Sequence, residues 1–216
     1  MRRFQICSRW LVFGMGTLAA TTVACGGGGD EPVPTPGFGV LSGQTVLVLP
    51  VQYVQRVPGG WLGGAANAQD AARSADTEIT FALHEVSGRA NWVTPDQQMD
   101  ELSRRPSVDV VPYLLSAGEA RQQGGRLRHV RDPLYGEIRM LAALFDARYA
   151  VFPMEFFYEQ GREGEGGHLA IRTFVLDARA GTVIWYGIVR GDGTQPPASP
   201  GALAAAAQKF AVQVSP

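Results

Sequence analysis

Thr45-Val46-Leu47-Val48-Leu49-Pro50-Val51 is an unbroken apolar run rich in β-branched side chains, bounded by Gly43 and by Gly59-Gly60. Such a run has no polar face to offer water, so it predicts a strand covered on both sides over 45–51. From 70 to 86 the period lengthens. Ala72, Ala75, Ile79, Ala82, Leu83 and Val86 recur at helical spacing, with Arg73, Asp76, Glu78 and Glu85 expected to face elsewhere. This predicts an amphipathic helix packed on the sheet. Trp92-Val93 predicts a short strand, and Thr94-Pro95-Asp96-Gln97 opens a helix to about 104, with a Thr cap, a Pro at the first helical position and a Gln to complete a capping box. Asp132-Pro133 repeats the start signal ahead of a stripe of Leu134, Ile138, Leu141, Ala142 and Phe145, a helix to about 146. Between the two helices, 116–131 is polar and Gly-containing.

The last third shifts to strand composition. Residues 149–158, 168–176 and 182–190 are rich in aromatic and β-branched side chains, and each predicts a strand. The loop at 159–167 is charged and Gly-rich, whereas the next turn is tight: Asp177 can bond its own downstream backbone and Gly181 can take the positive φ that closes a hairpin. Pro153 has no N–H to give a ladder, so it is expected at an edge or a bulge. Ser199-Pro200 caps a final helix carrying Leu203, Ala206, Ala207, Phe210 and Val214. The order strand, helix, strand, helices, three-strand meander, helix predicts an α/β sandwich with a mixed, mostly antiparallel sheet, one domain over 44–216.

Ahead of this domain the pattern is of another kind. Arg2, Arg3 and Arg9 precede an uncharged, largely apolar run, Trp10 to Ala24, that ends in small residues and is too short for a comfortable membrane span. Residues 1–24 thus read as a signal peptide, and with Thr22-Val23-Ala24-Cys25 they resemble a bacterial lipoprotein precursor. Val23, Ala24 and Cys25 fit the lipobox, while Thr22 stands where Leu is usual. The resemblance implies that Cys25 is lipidated and becomes the mature amino terminus. Gly26 rather than Asp follows it, which by the usual sorting rule implies the outer membrane, facing the periplasm. Residues 26–39 are Gly- and Pro-rich with Asp30 and Glu31, and have almost nothing to bury. The expected plan is therefore signal peptide 1–24, lipidated Cys and disordered tether 25–43, and α/β domain 44–216.

Cleavage would leave 192 residues, enough for one domain with a sizeable core. Without Arg2, Arg3 and Arg9, 16 basic side chains face 20 acidic ones. That mildly acidic balance gives no reason to expect nucleic acid or an anionic membrane surface as a partner. Cys7 leaves with the signal and Cys25 takes the lipid, so the domain is expected to hold together by its core alone.

The opening strand, the segment Ala147-Arg148-Tyr149-Ala150-Val151 and the hairpin Leu176-Asp177-Ala178-Arg179-Ala180-Gly181-Thr182-Val183-Ile184-Trp185 resemble a group of envelope proteins. The group comprises the amino-terminal part of TolB, the curli secretion lipoprotein CsgG, and lipoproteins that activate peptidoglycan synthases. Asp177, Gly181 and Trp185 fit its hairpin, and Ala180 stands where Thr is common. The resemblance implies a binding or assembly role, with no catalytic residues to carry over.

A search for chemistry adds little to this. Gly59-Gly60-Trp61-Leu62-Gly63-Gly64 follows a strand and precedes a helix, but its spacing is wrong for a dinucleotide fingerprint and no Walker lysine follows. A flexible surface loop is expected, with Trp61 at its tip as the candidate partner-binding residue. His84, His129 and His168 have no metal-ligand spacing, so no metal and no cofactor are expected. No G-x-S-x-G elbow occurs. Asp76 and Glu78 point to different faces, and Glu155 is expected to face solvent between Met154 and Phe156. Trp92, Trp185, Phe152, Phe156 and Phe174 read as core. These readings converge on a non-catalytic, lipid-anchored accessory that binds an envelope protein. The alternatives are a periplasmic hydrolase with a site assembled from distant residues, or a small-ligand sensor.

Overall fold

The apolar run at 45–51 forms β1 (Thr45–Val48), which lies inside a six-stranded sheet, parallel to β3 (Asn91–Val93) on one side and β4 (Tyr149–Glu159) on the other. This computed structural model describes residues 38–86, 88–161 and 167–216. β5 (His168–Asp177) and β6 (Thr182–Arg190) continue from β4 as an antiparallel meander, and a two-residue β2 (Tyr53–Val54) adds a further parallel pair to β4. The longest ladders are β4–β5 and β5–β6, so the sheet is mixed and mostly antiparallel, as the pattern predicts.

Alternation along β1 divides the interior in two. Val46 and Val48 join the core beneath α1 (Ala68–Val86) and α5 (Pro200–Val214), while Leu47 and Leu49 join a second core that includes Ile138 and Leu141 of α4 (Leu134–Leu144). Helices thus cover both faces, which is why β1 carries no polar position after Thr45. The first core also takes in Phe38 and Leu41, both buried on a single 3-10 turn, Phe38–Leu41. Phe38 meets Trp185 edge to face at 5.5 Å. Packed structure therefore starts no later than Phe38, inside the stretch expected to be tether, because two large apolar side chains there find a core to enter. The signal peptide, Cys25 and the remaining tether lie outside the described residues.

Local signals act largely as their chemistry predicts. Thr94 and Gln97 close the capping box of α2 (Pro95–Ser103), and Ser199 accepts from the Ala202 amide at the start of α5. Asp132 works one residue out of place. The Asp132-Pro133 bond is cis, α4 begins at Leu134, and Asp132 Oδ1 accepts from the Gly136 amide at 3.0 Å. In the hairpin, Asp177 Oδ1 accepts from the amides of Arg179 and Ala180, both at 3.0 Å, and Gly181 has φ +66°. The polar stretch at 116–131 is not featureless: it holds α3 (Gly118–Gln123) and a following 3-10 turn.

Pro153 sits in an interior strand, so the edge alternative fails and the bulge alternative holds. Phe152 lies opposite Phe174 and Pro153 opposite Thr173, but the next pair is Glu155 with Arg172, which leaves Met154 as the extra residue. The other neighbour shows a matching irregularity. Val48 lies opposite Val151 but Tyr53 opposite Glu155, so the chain gains a residue around Pro50. This double irregularity shifts the parity of β4, with Met154 in one core and Phe156 in the other.

Candidate functional site: an acidic cleft at the carboxyl ends of β1 and β3

Because the chain leaves its ladder around Pro50, the Val51 amide needs another acceptor. Asp76 of α1 supplies it, through Oδ1 at 3.0 Å. The side chain is buried, 4% exposed, contrary to the expectation that it faces away from the sheet. The signal was in the spacing, since Ala72, Asp76, Ile79 and Leu83 follow one another at three- and four-residue steps on the same stripe. Burial pushes the Asp76 carboxyl up to about 8, against the opposing pull of the Val51 amide and the Tyr113 hydroxyl, and Asp96 adds to the rise. Its second oxygen, Oδ2, is buried without a well-formed hydrogen bond, although the Tyr113 hydroxyl lies close enough to the carboxyl to pull on it.

Over this carboxyl lies a cleft of about 220 Å³ lined by Arg73, Thr77 and Thr80 of α1, Pro95, Asp96 and Met99 of α2, and Tyr113. Tyr113 belongs to a 3-10 turn, Pro112–Leu114, that Gln52 holds in place: its Nε2 donates to Pro112 O at 2.9 Å and its Oε1 accepts from the Leu115 amide at 2.9 Å. Burial and the nearby Asp76 carboxylate raise the Tyr113 hydroxyl well above its ordinary value. The Arg73 guanidinium lies 5.5 Å from the Tyr113 ring centroid. Beneath, Gln98 is fully buried and donates to Val48 O at 2.8 Å and Val93 O at 3.1 Å, tying together the ends of β1 and β3. Met99, which lines the cleft, is 41% exposed, and Val111 and Leu114, close to Tyr113 in the chain, are 51% and 76% exposed.

Glu155 forms a second polar cluster. It is 1% exposed instead of facing solvent, because the extra residue in β4 turns it to the side of Arg172. Arg121 of α3 donates through Nε at 3.0 Å and also through Nη2, Gln55 donates at 2.8 Å, and Arg172 lies at 3.1 Å. Burial would raise the Glu155 carboxyl, but the bonds from Arg121 and Gln55 and the charges of Arg172 and Arg121 outweigh it and hold it below the usual carboxylate range. The Arg121 guanidinium also covers the Tyr53 ring at 4.4 Å. With both arginines committed, this cluster is an anchor for α3 on the sheet.

Trp61 and the three histidines do not gather at either place. Trp61 is half-buried and packs on the first core instead of standing at a free loop tip. Its loop is pinned: Val57 and Gly60 bridge, Leu62 is fully buried, and the Gly64 amide donates to Ala198 O at 3.2 Å. His84, His129 and His168 fall on α1, on a bridge to Thr182 and at the start of β5. Among the described residues no group of His, Cys, Asp and Glu is arranged to hold a metal ion, and no helix is long and apolar enough to cross a membrane.

No protein-family profile matches the chain, and no curated protein matches it. Solved structures with a partial likeness include the LpoB C-terminal domain from Salmonella enterica, 17% identical over 70% of this chain and 84% of that one, with a TM-score of 0.39. The PelC dodecamer from Paraburkholderia phytofirmans is 14% identical over 86% and 95%, with a TM-score of 0.37. The hypothetical protein CT253 from Chlamydia trachomatis is 17% identical over 68% and 71%, with a TM-score of 0.38. Of the resemblance expected from sequence, LpoB gives a partial likeness in the synthase-activator branch, and these structures give no support to a relationship with TolB or CsgG. TM-scores this low carry no inference about what this chain does.

Proposed function

We propose that this chain is a lipid-anchored accessory of the bacterial envelope, held through Cys25 at the outer membrane and facing the periplasm, whose α/β domain binds another envelope protein and performs no chemistry itself. The anchor rests on the export segment and Thr22-Val23-Ala24-Cys25. The observation that carries the binding role is the exposure of Met99, which lines a polar cleft, and of Val111 and Leu114 on the chain segment that brings Tyr113 to it, the kind of apolar side chains that partner contacts cover. Neither His84 nor His168 lines that cleft, so it lacks the feature that would favour the hydrolase. Trp61 offers a partner only the part of its ring that the core leaves uncovered.

A photo-crosslinking amino acid at Leu114 or Val111, expressed in cells, is expected to yield a discrete adduct whose partner is identified by mass. The same label at Phe81 and Val212, exposed on α1 and α5, reports on other surfaces. Adducts at those positions alone would move the binding surface away from the cleft. No adduct at any of the four would overturn the binding role.

A further inference from the structure

We propose that the cleft above Asp76 receives a lysine side chain from a protein partner, its ammonium pairing with the buried carboxylate while Met99, Val111 and Leu114 hold the apolar residues on either side of it. This rests on the partner-binding reading above and names the chemistry of the contact. It starts from Oδ2. A buried carboxyl oxygen without a well-formed hydrogen bond is destabilising in either protonation state, and here a partner has a route in through the cleft. The protein has a cation close by, yet Arg73, one turn before Asp76, lies over the Tyr113 ring instead of filling the place.

Topology puts the cleft where open sheets of this kind bind ligands. From β1 the chain crosses through α1 to β3 on one side, then returns to β4 on the other. β1 is thus a switch point, although the chain first runs on beside β4 as β2, and the cleft opens on the β3 side of that end. Asp76 reaches that end through Val51, and Pro95 and Asp96 follow directly from β3.

The chemistry selects the occupant. The charged and titratable groups facing Asp76 are Arg73 on its own helix, Asp96 on α2 and Tyr113 on the 3-10 turn, so Asp96 balances Arg73 in the free protein and two carboxylates stand against one guanidinium once Asp76 ionises. One carboxylate oxygen is already committed to Val51, which leaves a single acceptor. That suits a compact ammonium with separate donors better than the guanidinium fork, which needs two oxygens side by side. The Thr77 and Thr80 hydroxyls and the Tyr113 hydroxyl line the same space and can take the remaining donors. In the free protein burial favours a neutral Asp76 at physiological pH, and an arriving ammonium would favour its ionised form and release the proton.

The test uses the full chain in detergent with ¹³C-labelled aspartate, titrated by nuclear magnetic resonance with acetyl-Leu-Lys-Leu-amide, the same peptide with norleucine for lysine, and n-butylamine. The lysine peptide is expected to shift the Asp76 carboxyl saturably and to lower its titration midpoint by more than about one unit, with the norleucine peptide without effect. Asp76→Asn should weaken binding on the order of tenfold or more. Met99→Lys, at an exposed position that spares the fold, should block the cleft with its own ammonium. Arg73→Ala should tighten binding by removing a competing cation, a change of sign that a merely structural role would not produce. Equal binding of the norleucine peptide, unchanged affinity in both Asp76→Asn and Met99→Lys, or butylamine binding as tightly as the peptide would each overturn the proposal. Crosslinking at Leu114 with no peptide binding would refute the lysine contact and leave the accessory reading standing. Peptide binding with no adduct at any labelled position would do the reverse.

Discussion

At the scale of single residues, two buried carboxyls have opposite electrostatics because they differ in company. Asp76 has only neutral donors, the Val51 amide and the Tyr113 hydroxyl, so desolvation prevails; Glu155 has donors from Arg121 and Gln55 and a second arginine beside it, so ionisation prevails. The consequence for Asp76 has a definite sign. Folded, it keeps its proton up to about pH 8, while unfolded it releases it near 3.8, so the folded state holds the extra proton between those values and stability falls as the pH rises through them. Asp76→Asn keeps an acceptor for Val51 and is expected to flatten this slope. Its stability should match or exceed the parent's at pH 8, by on the order of a few kcal/mol at most, with the gap closing toward acid, as read from thermal melting across the range. Parallel melting curves across that range would show that Asp76 is ionised in the fold. Gly181→Val is expected to destabilise by more than about 1 kcal/mol, since φ is +66° and a Cβ there would lie 2.8 Å from Tyr135. Equilibrium denaturation checks it.

At the scale of elements, Glu155 fixes α3 within an insertion whose Ala117, Leu127 and Val130 already enter the second core. α3 has six residues and only Ala120 buried, too little to dock by hydrophobic contact alone. Arg121 reaching Glu155 and Tyr53 supplies the rest. Arg121→Ala should therefore speed hydrogen exchange across 118–126 well before it affects β4 and β5, whereas Glu155→Ala, which strands Arg172 beside a buried gap, should lower global stability by about 2–3 kcal/mol. Uniform loss of protection in both variants would refute a local anchor. Because Glu155 ionises below the usual range, its contribution is present above the ordinary carboxylate value and is lost as the pH falls through its own lower one. The glycine-rich loop belongs to this scale too. Trp61→Ala is expected to reduce thermal stability measurably, because the ring packs on the first core. Unchanged melting would return Trp61 to the status of a surface residue.

At the scale of the whole molecule, a domain with helices on both faces of its sheet would be tied to a membrane by its amino-terminal residue. The several acyl chains of a mature lipoprotein, at about 0.8 kcal/mol per buried methylene, hold permanently where a single chain binds marginally. Cys25→Ser is accordingly expected to leave the protein either in a soluble fraction or as unprocessed precursor, followed by fractionation and by mass. Recovery of a processed, membrane-bound serine variant would refute the anchor.

The sequence by itself determined the elements, their order and most of their ends, because these depend on neighbours in the chain. β1 is apolar throughout and lies inside the sheet; Thr94 and Gln97 lie within one helical turn of each other and close their box; Asp177 and Gly181 make the hairpin turn between them. Asp76 was also legible, by its place on the α1 stripe, though a carboxylate on an apolar stripe is hard to accept before its partner is known. That partner, the Val51 amide, becomes available only where the chain leaves its ladder opposite an irregular β4. Glu155 was not legible at all. Strict alternation gives one parity along a strand, and a single extra residue beside Pro153 reverses it, carrying a residue expected in water into a buried pair with arginines from α3 and β5. Burial and charge pairing depend on which distant segments arrive at the same place, and that was settled by the packing of the sheet.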